Sequence, residues 1–290
     1  MRDVLSELLE LLRLERLEQN LFRGQSQDLG WGAVFGGQVL GQALSAAAQT
    51  VPIERPVHSM QAYFLRPGDA RKPIIYDVDP IRDGGSFTTR RVVAIQGGHA
   101  IFSLSASFQV VEKGFDHADV APEVPPPESL DSELEIARRA GDRIPEALRK
   151  MALAERPIEI RAVQPFNHLS PYVGEPRRQL WYRAAGPLPD ELAIHQYLLA
   201  YASDFNFLVT AMLPHGVSLL TSGLQVASLD HVMWFHRPFR FDDWLLYDMD
   251  SPSASGSRGL VRGRFFDRAG RLVASVAQEG LMRDHRPAST

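Results

Sequence analysis

Apolar and polar positions along the chain change period twice, in the same order each time. Residues 3–14 carry Val4, Leu5, Leu8, Leu9, Leu11 and Leu12 on one wide stripe, which predicts a short amphipathic helix. Residues 21–26 suit a strand. Residues 38–50, rich in Ala, Leu and Gln behind the pair Gly36-Gly37, predict a buried helix packed closely against something. The period then drops to two. Strands are expected at 57–65, 74–79, 86–96 and 100–111, separated by turn residues at 66–69, 82–85 and 96–98.

The order then repeats. Residues 113–127 are proline-rich and aperiodic, which predicts a linker, with a polar helix at 129–140. Strands follow at 158–163 and 179–184, then a helix at 189–207. A second meander is expected at 223–235, 244–250, 257–267 and 271–282. A long helix followed by antiparallel strands is an α+β unit with the helix lying on its sheet. Two such units are expected, at 1–112 and 156–290, joined by the linker and short helix of 113–155.

The second unit echoes the first residue for residue. Val57-His58-Ser59-Met60-Gln61-Ala62-Tyr63-Phe64-Leu65-Arg66-Pro67 is answered 171 positions later by Ser228-Leu229-Asp230-His231-Val232-Met233-Trp234-Phe235-His236-Arg237-Pro238. At that fixed offset Phe64/Phe235, Arg66/Arg237, Pro67/Pro238, Tyr76/Tyr247, Asp77/Asp248, Asp79/Asp250, Gly85/Gly256, Ser86/Ser257, Arg91/Arg262 and Ala106/Ala277 are identical. Gap-free identity of this density points to duplication rather than shared strand composition. Two copies can pair their sheets edge to edge and so cover edges otherwise open to aggregation.

Residues that break the symmetry are therefore candidates for function. Asp204 lies seven positions after Tyr197 and three after Tyr201, on a stripe that should face the core. With Gln38 laid on Gln196, its counterpart is Ala46. Ser228 answers Val57, and Gln278 answers Ser107. Ser228 follows Leu224 and Val226 on one strand face, and Gln278 follows Leu272, Ala274 and Val276 on another. Burying such groups unpaired costs about 1–3 kcal/mol each, so they must bond either to one another and local backbone or to a water or substrate. A carboxylate on an apolar face should have a raised pKa, which suits a general base.

Composition narrows the field. The 290 residues carry a net charge of −4 with 44% apolar residues, so nucleic-acid binding is not the main business. Cysteine is absent, which removes disulfides and thiolate nucleophiles. The amino-terminal segment alternates Leu with charge unlike a signal peptide, no apolar run is long enough to span a bilayer, and the chain does not end in Ser-Lys-Leu. A cytoplasmic protein is expected. No Gly-x-Ser-x-Gly, His-Glu-x-x-His or Gly-x-x-x-x-Gly-Lys motif is present, and no cofactor or metal site is expected. Asp230-His231 is tempting as an acid–base pair, but adjacent strand residues face opposite ways, so structural roles are favoured. His58 is read as a satisfied core histidine, and His231 and His236 lack a third partner for a metal. Arg66, Arg71, Lys72, Arg90 and Arg91 suit a solvated face better than a phosphate site.

Four stretches carry a family resemblance: Leu21-Phe22-Arg23-Gly24-Gln25-Ser26, Val34-Phe35-Gly36-Gly37-Gln38-Val39, Tyr63-Phe64-Leu65-Arg66-Pro67-Gly68, and Asp230-His231 through Trp234-Phe235-His236-Arg237-Pro238-Phe239. Together they resemble acyl-CoA thioesterase II of the bacterial type over almost the whole chain. The resemblance implies a double hotdog, in which each long helix is wrapped by an antiparallel sheet. It also implies an acyl-CoA substrate, hydrolysed to fatty acid and CoA, and further pairing into a homo-oligomer, a dimer or tetramer of double hotdogs.

The family's Asp, Thr or Ser, and Gln, which act together on a water, fall on Asp204, Ser228 and Gln278. Bacterial relatives mostly carry Thr where this chain has Ser228, which keeps the hydroxyl and loses a methyl. Gly36 and Gly37, at a helix start, are expected as backbone donors to an oxyanion. Two other readings stand beside this one. A hotdog enoyl-CoA hydratase would use an Asp and a His five residues apart, as Asp190 and His195 are, although the Gly-Asp-x-Asn-Pro context is missing. A non-catalytic acyl-CoA-binding protein would use the same fold without the chemistry.

Overall fold

The computed structural model describes residues 3–30 and 32–286. The terminal residues 287–290, part of the ending compared above with Ser-Lys-Leu, lie outside them. In the first half, α1 (Val4–Leu12) is followed by β1 (Glu15–Glu18), β2 (Leu21–Gly24), α2 (Gly36–Ala48), β3 (Val57–Phe64), β4 (Ile74–Asp83), β5 (Phe87–Gln96) and β6 (His99–Gln109). The second half holds α3 (Glu133–Ala140), α4 (Glu146–Ala152), β7 (Ile158–Ala162), β8 (Arg177–Ala184), α5 (Leu192–Ser203), α6 (Val209–Met212), β9 (Leu224–Ser228), β10 (Asp230–Phe235), β11 (Leu245–Ser255), β12 (Arg258–Asp267) and β13 (Leu272–Asp284).

The strands form one antiparallel sheet in the order β1-β2-β4-β5-β6-β3-β10-β13-β12-β11-β8-β7, with β9 pairing onto β13. The halves meet where β3 pairs with β10, placing Met60 opposite Met233 and Ala62 opposite His231. The expected edge-to-edge pairing of two copies is thus this seam. The duplication is also visible in the strands themselves, since β5 at 87–96 and β12 at 258–267 coincide at the offset of 171.

Helix α2 is buried from Gly37 to Ala47, and its polar side chains are satisfied there: Gln42 donates to Leu11 O and Gln25 O and accepts from the Tyr76 hydroxyl, and Ser45 donates to Leu12 O. It packs antiparallel on α5: Gly37 abuts Tyr201 O, and one turn on Gly41 abuts Tyr197 O. Lacking Cβ atoms, the two glycines let the backbones approach, and the sheet wraps this helix pair. On β6 the inward face is Phe102, Leu104, Ala106 and Phe108, so the serines at 103, 105 and 107 face outward.

The segment after β6 is more than a connection. It runs back across the outside of the sheet's second half, where Ala121, Val124 and Leu130 cover Trp181, Trp244, Leu246, Phe266 and Leu272. Trp181 Nε1 donates to Pro125 O at 2.9 Å, and Arg264 pairs with Asp119 at 3.0 Å. Its prolines suit an extended strap that needs few backbone donors.

Three expected boundaries are corrected. The single strand at 223–235 is broken at Leu229 into β9 and β10, both on β13, because Leu229 N–H donates to Glu279 O while its carbonyl accepts from Phe64 N. The helix expected at 189–207 ends at Ser203, and Asn206 turns the chain at φ 62°, a conformation that Asn tolerates better than most residues. The polar helix expected at 129–140 starts only at Glu133, where Ser132 and Glu135 form a reciprocal cap.

Candidate active site

The early end of α5 is what builds the site. Asp204 is the C-cap of that helix, not part of its stripe, and lies beside the first turn of α2. Ser228 Oγ donates to Asp204 Oδ1 over 3.5 Å, and the Gln278 amide and the Gly37 backbone N–H lie near enough to favour the charged carboxylate. Gly36 leaves no room between α2 and the carboxylate: a Cβ there would stand 2.6 Å from Oδ2. The positive end of α2 is thereby directed at this group.

Ser228 ends β9, and Gln278 is on the inward face of β13, buried to 1% exposure. Gln278 Nε2 donates to Ser228 Oγ at 2.8 Å. The three symmetry-breaking residues therefore touch one another, from a helix terminus and two strands far apart in sequence. The Gly36-Gly37 pair is also here, with the Gly37 N–H close to the Asp204 carboxylate.

Burial pushes the Asp204 carboxyl above the ordinary aspartate range. The charge of His231 and the bonds from Gln278, Gly37 and Ser228 oppose that rise without cancelling it. Such a carboxylate holds a proton well enough to act as a base.

His231 is the residue that sequence reasoning set aside. It is fully buried, with Nδ1 at 2.5 Å from Gln278 Oε1 and Nε2 at 2.9 Å from Ser203 Oγ. The face argument itself holds, since Asp230 instead accepts from the Glu279 backbone N–H at 2.6 Å. The sequence does carry a signal for His231: at the offset of 171 its counterpart is the buried Met60, so a polar ring stands where the first half has an apolar side chain.

The remaining candidates are occupied elsewhere. His195 has Nε2 on Pro189 O and Nδ1 accepting from Phe241 N–H, both at 2.9 Å, while Asp190 pairs with Arg240 at 2.5 Å. They form no acid–base dyad. His58 bonds Ser107 Oγ at 2.8 Å, and His236 bonds Ser275 Oγ at 2.8 Å. Arg71 and Lys72 pair with Asp69, Arg90 with Asp83, and Arg91 with Asp79; Arg66 donates to Ala100 O. These cations are engaged by the chain itself rather than grouped around an anion site.

Residues 149–281 match the family model described as acyl-CoA thioesterase, and residues 26–109 match that of the acyl-CoA thioesterase N-terminal domain. Acyl-CoA thioesterase 2 of Haemophilus influenzae is 44% identical, covering 98% of this chain and 99% of that protein. The chain belongs to the acyl-CoA thioesterase II family. Acyl-coenzyme A thioesterase 8 of Homo sapiens is 43% identical over 94% of this chain and 88% of its own length. The crystal structure of an acyl-CoA thioesterase II from Mycobacterium marinum superposes with a TM-score of 0.78 at 42% identity, covering 97% of this chain and 99% of that one. A hot dog fold protein from Alicyclobacillus acidocaldarius, 19% identical with a TM-score of 0.76, shares the fold. The α+β double hotdog architecture is thus that of the family.

Proposed function

We propose that this chain hydrolyses acyl-CoA thioesters with Asp204 as general base on a water held jointly by Ser228 and Gln278. Family membership supplies the reaction class, and the observation that carries the mechanism is the contact of these three residues around one half-buried carboxylate.

The water is the nucleophile in this reading. As its oxygen bonds to the thioester carbon, its proton passes to Asp204 and the carbonyl oxygen becomes an oxyanion beside the positive end of α2. Collapse re-forms the carbonyl and expels CoA as a thiolate, leaving a carboxylic acid. Thiols have a pKa of about 8.5, so the leaving group needs little help from an acid. Ser228 is better placed to orient water than to attack. A thioester carbonyl is electrophilic enough for direct attack by water, so no covalent serine intermediate is required, and no imidazole stands on the Ser228 hydroxyl, since His231 faces Gln278 and Ser203.

The hydratase reading loses its support with the Asp190–His195 geometry. Release of free thiol from acyl-CoAs of several chain lengths tests the proposal and gives the length preference. Hydration of an enoyl-CoA without thiol release, or binding without either, would overturn it. The same reading has a homo-oligomer of double hotdogs, a dimer or tetramer, working in the cytoplasm on fatty acyl groups. Tyr63 and Trp234, exposed beside the β3–β10 seam, offer apolar surface for such pairing, which sedimentation velocity tests.

A further inference from the structure

The orientation of one amide decides which way the site's protons point. Ser228 has a single hydroxyl hydrogen. With Gln278 Nε2 facing Oγ, that oxygen accepts from the amide and its hydrogen is free for Asp204. Were the amide reversed, Oε1 would face Oγ and capture the hydrogen, and the carboxylate would lose a donor. A terminal amide has no intrinsic preference between the two, so a neighbour must fix it.

The neighbour is His231. Its Nδ1 lies 2.5 Å from Gln278 Oε1, where an N–H can donate but a bare nitrogen would repel. The ring is fully enclosed, so its neutral form carries one proton for two nitrogens. If Nδ1 holds it, Nε2 must accept, and the donor there is Ser203 Oγ at 2.9 Å. Ala200 O, also 2.9 Å from that hydroxyl, then competes without success for its hydrogen. Every donor in the series from Ser203 through His231, Gln278 and Ser228 then points toward Asp204.

Resting on the general-base reading above, we propose that His231, as its Nδ1–H tautomer, is a positioning residue that fixes the Gln278 amide with its NH₂ group toward Ser228. Its hydrogen bonds go to Gln278 and Ser203, and it acts on Ser228 through Gln278.

The direct test is a long-range ¹H–¹⁵N correlation spectrum of histidine-labelled protein, with His231 assigned as the signal lost in His231→Asn. An Nδ1–H pattern is expected, and an Nε2–H pattern overturns the proposal. Kinetics give an independent test. His231→Leu should lower kcat about 10- to 100-fold with little change in KM, the scale on which groups that orient a functional ligand act. His231→Asn, whose amide can place an N–H near the Nδ1 position, should restore most of that loss. Unchanged kcat in the Leu variant, or an Asn variant no better than Leu at equal thermal stability, would also overturn it. Loss of turnover in Asp204→Asn together with an Nε2–H pattern would sink only the His231 inference. Retained turnover in Asp204→Asn would sink the general-base reading itself.

Discussion

Gly36 and Asp204 are packed so closely that a Cβ added to Gly36 would stand 2.6 Å from Oδ2 and 3.0 Å from the ring of Phe64. Glycine is required here by the carboxylate, since Gly36 has no positive φ to accommodate. Gly36→Ala should therefore push Asp204 out of reach of Ser228 and lower kcat at least about tenfold, a loss that needs only about 1.4 kcal/mol. The thermal midpoint should move little, because alanine is the better helix former. Wild-type kcat in this variant would mean that the carboxylate position is not critical.

Gly37 and Gly41 answer to packing instead. A Cβ on Gly37 would run into the Tyr201 carbonyl, which is backbone and cannot step aside. On Gly41 it would lie 2.9 Å from the Leu12 side chain, which can rotate, and 3.1 Å from Tyr197 O. Gly37→Ala should cost about 1–3 kcal/mol by overpacking. Gly41→Ala should cost less, because up to about 1 kcal/mol of helix propensity offsets the strain. Urea unfolding midpoints at constant slope give the ranking, and the reverse order would contradict the helix contact described.

Asp204 should place its mark on the pH profile. Its ionised form is the base, and burial raises its pKa. The acid limb of kcat/KM should thus fall at a pH above the ordinary aspartate value of about 3.9. The stability effect has the opposite sense. A carboxyl with a raised folded-state pKa favours folding while protonated, and that contribution is lost as pH rises through the folded pKa. Asp204→Asn should consequently be more thermostable than wild type at neutral pH, with the difference closing toward acid pH. An Asn variant less stable at neutral pH would show that the carboxylate is net stabilising.

Ser228 is expected to matter through its hydroxyl. Ser228→Ala should lower kcat by about 10²-fold, typical of removing one well-placed donor. Ser228→Thr should keep activity within an order of magnitude, the added methyl fixing the rotamer. Equal losses in both variants would point to packing rather than to the hydroxyl.

Much of this was legible because duplication supplies its own control. Val57 against Ser228 marks one site residue without reference to any other protein, and Ser228 meets Asp204. The fixed offset sets Gln278 against Ser107, but Gln278 faces inward and Ser107 outward; Val261 pairs with Gln278 where its counterpart Arg90 pairs with Ala106, so the last strand is shifted by one residue and Gln278 in fact answers Ala106. What stayed hidden depends on contacts across the fold. The helix end at Ser203 follows from Asn206 and the α2 contact, which periodicity does not encode. The break at Leu229 follows from hydrogen bonds to Phe64 and Glu279 on other strands. The strap over Trp181 looks like a linker in sequence because its prolines leave no pattern, although its apolar side chains fill a second core. His231 was set aside on a correct argument about Asp230, because its partner Gln278 lies 47 positions away.

The account turns on Asp204, and replacing it by Asn tests that most directly. The amide keeps the shape of the carboxylate but cannot take a proton from water. Release of free thiol from saturating acyl-CoA should fall by about 10²- to 10⁴-fold, the range for loss of a general base, in a protein with unaltered circular dichroism. Turnover equal to wild type would remove Asp204 from the chemistry and the mechanism with it.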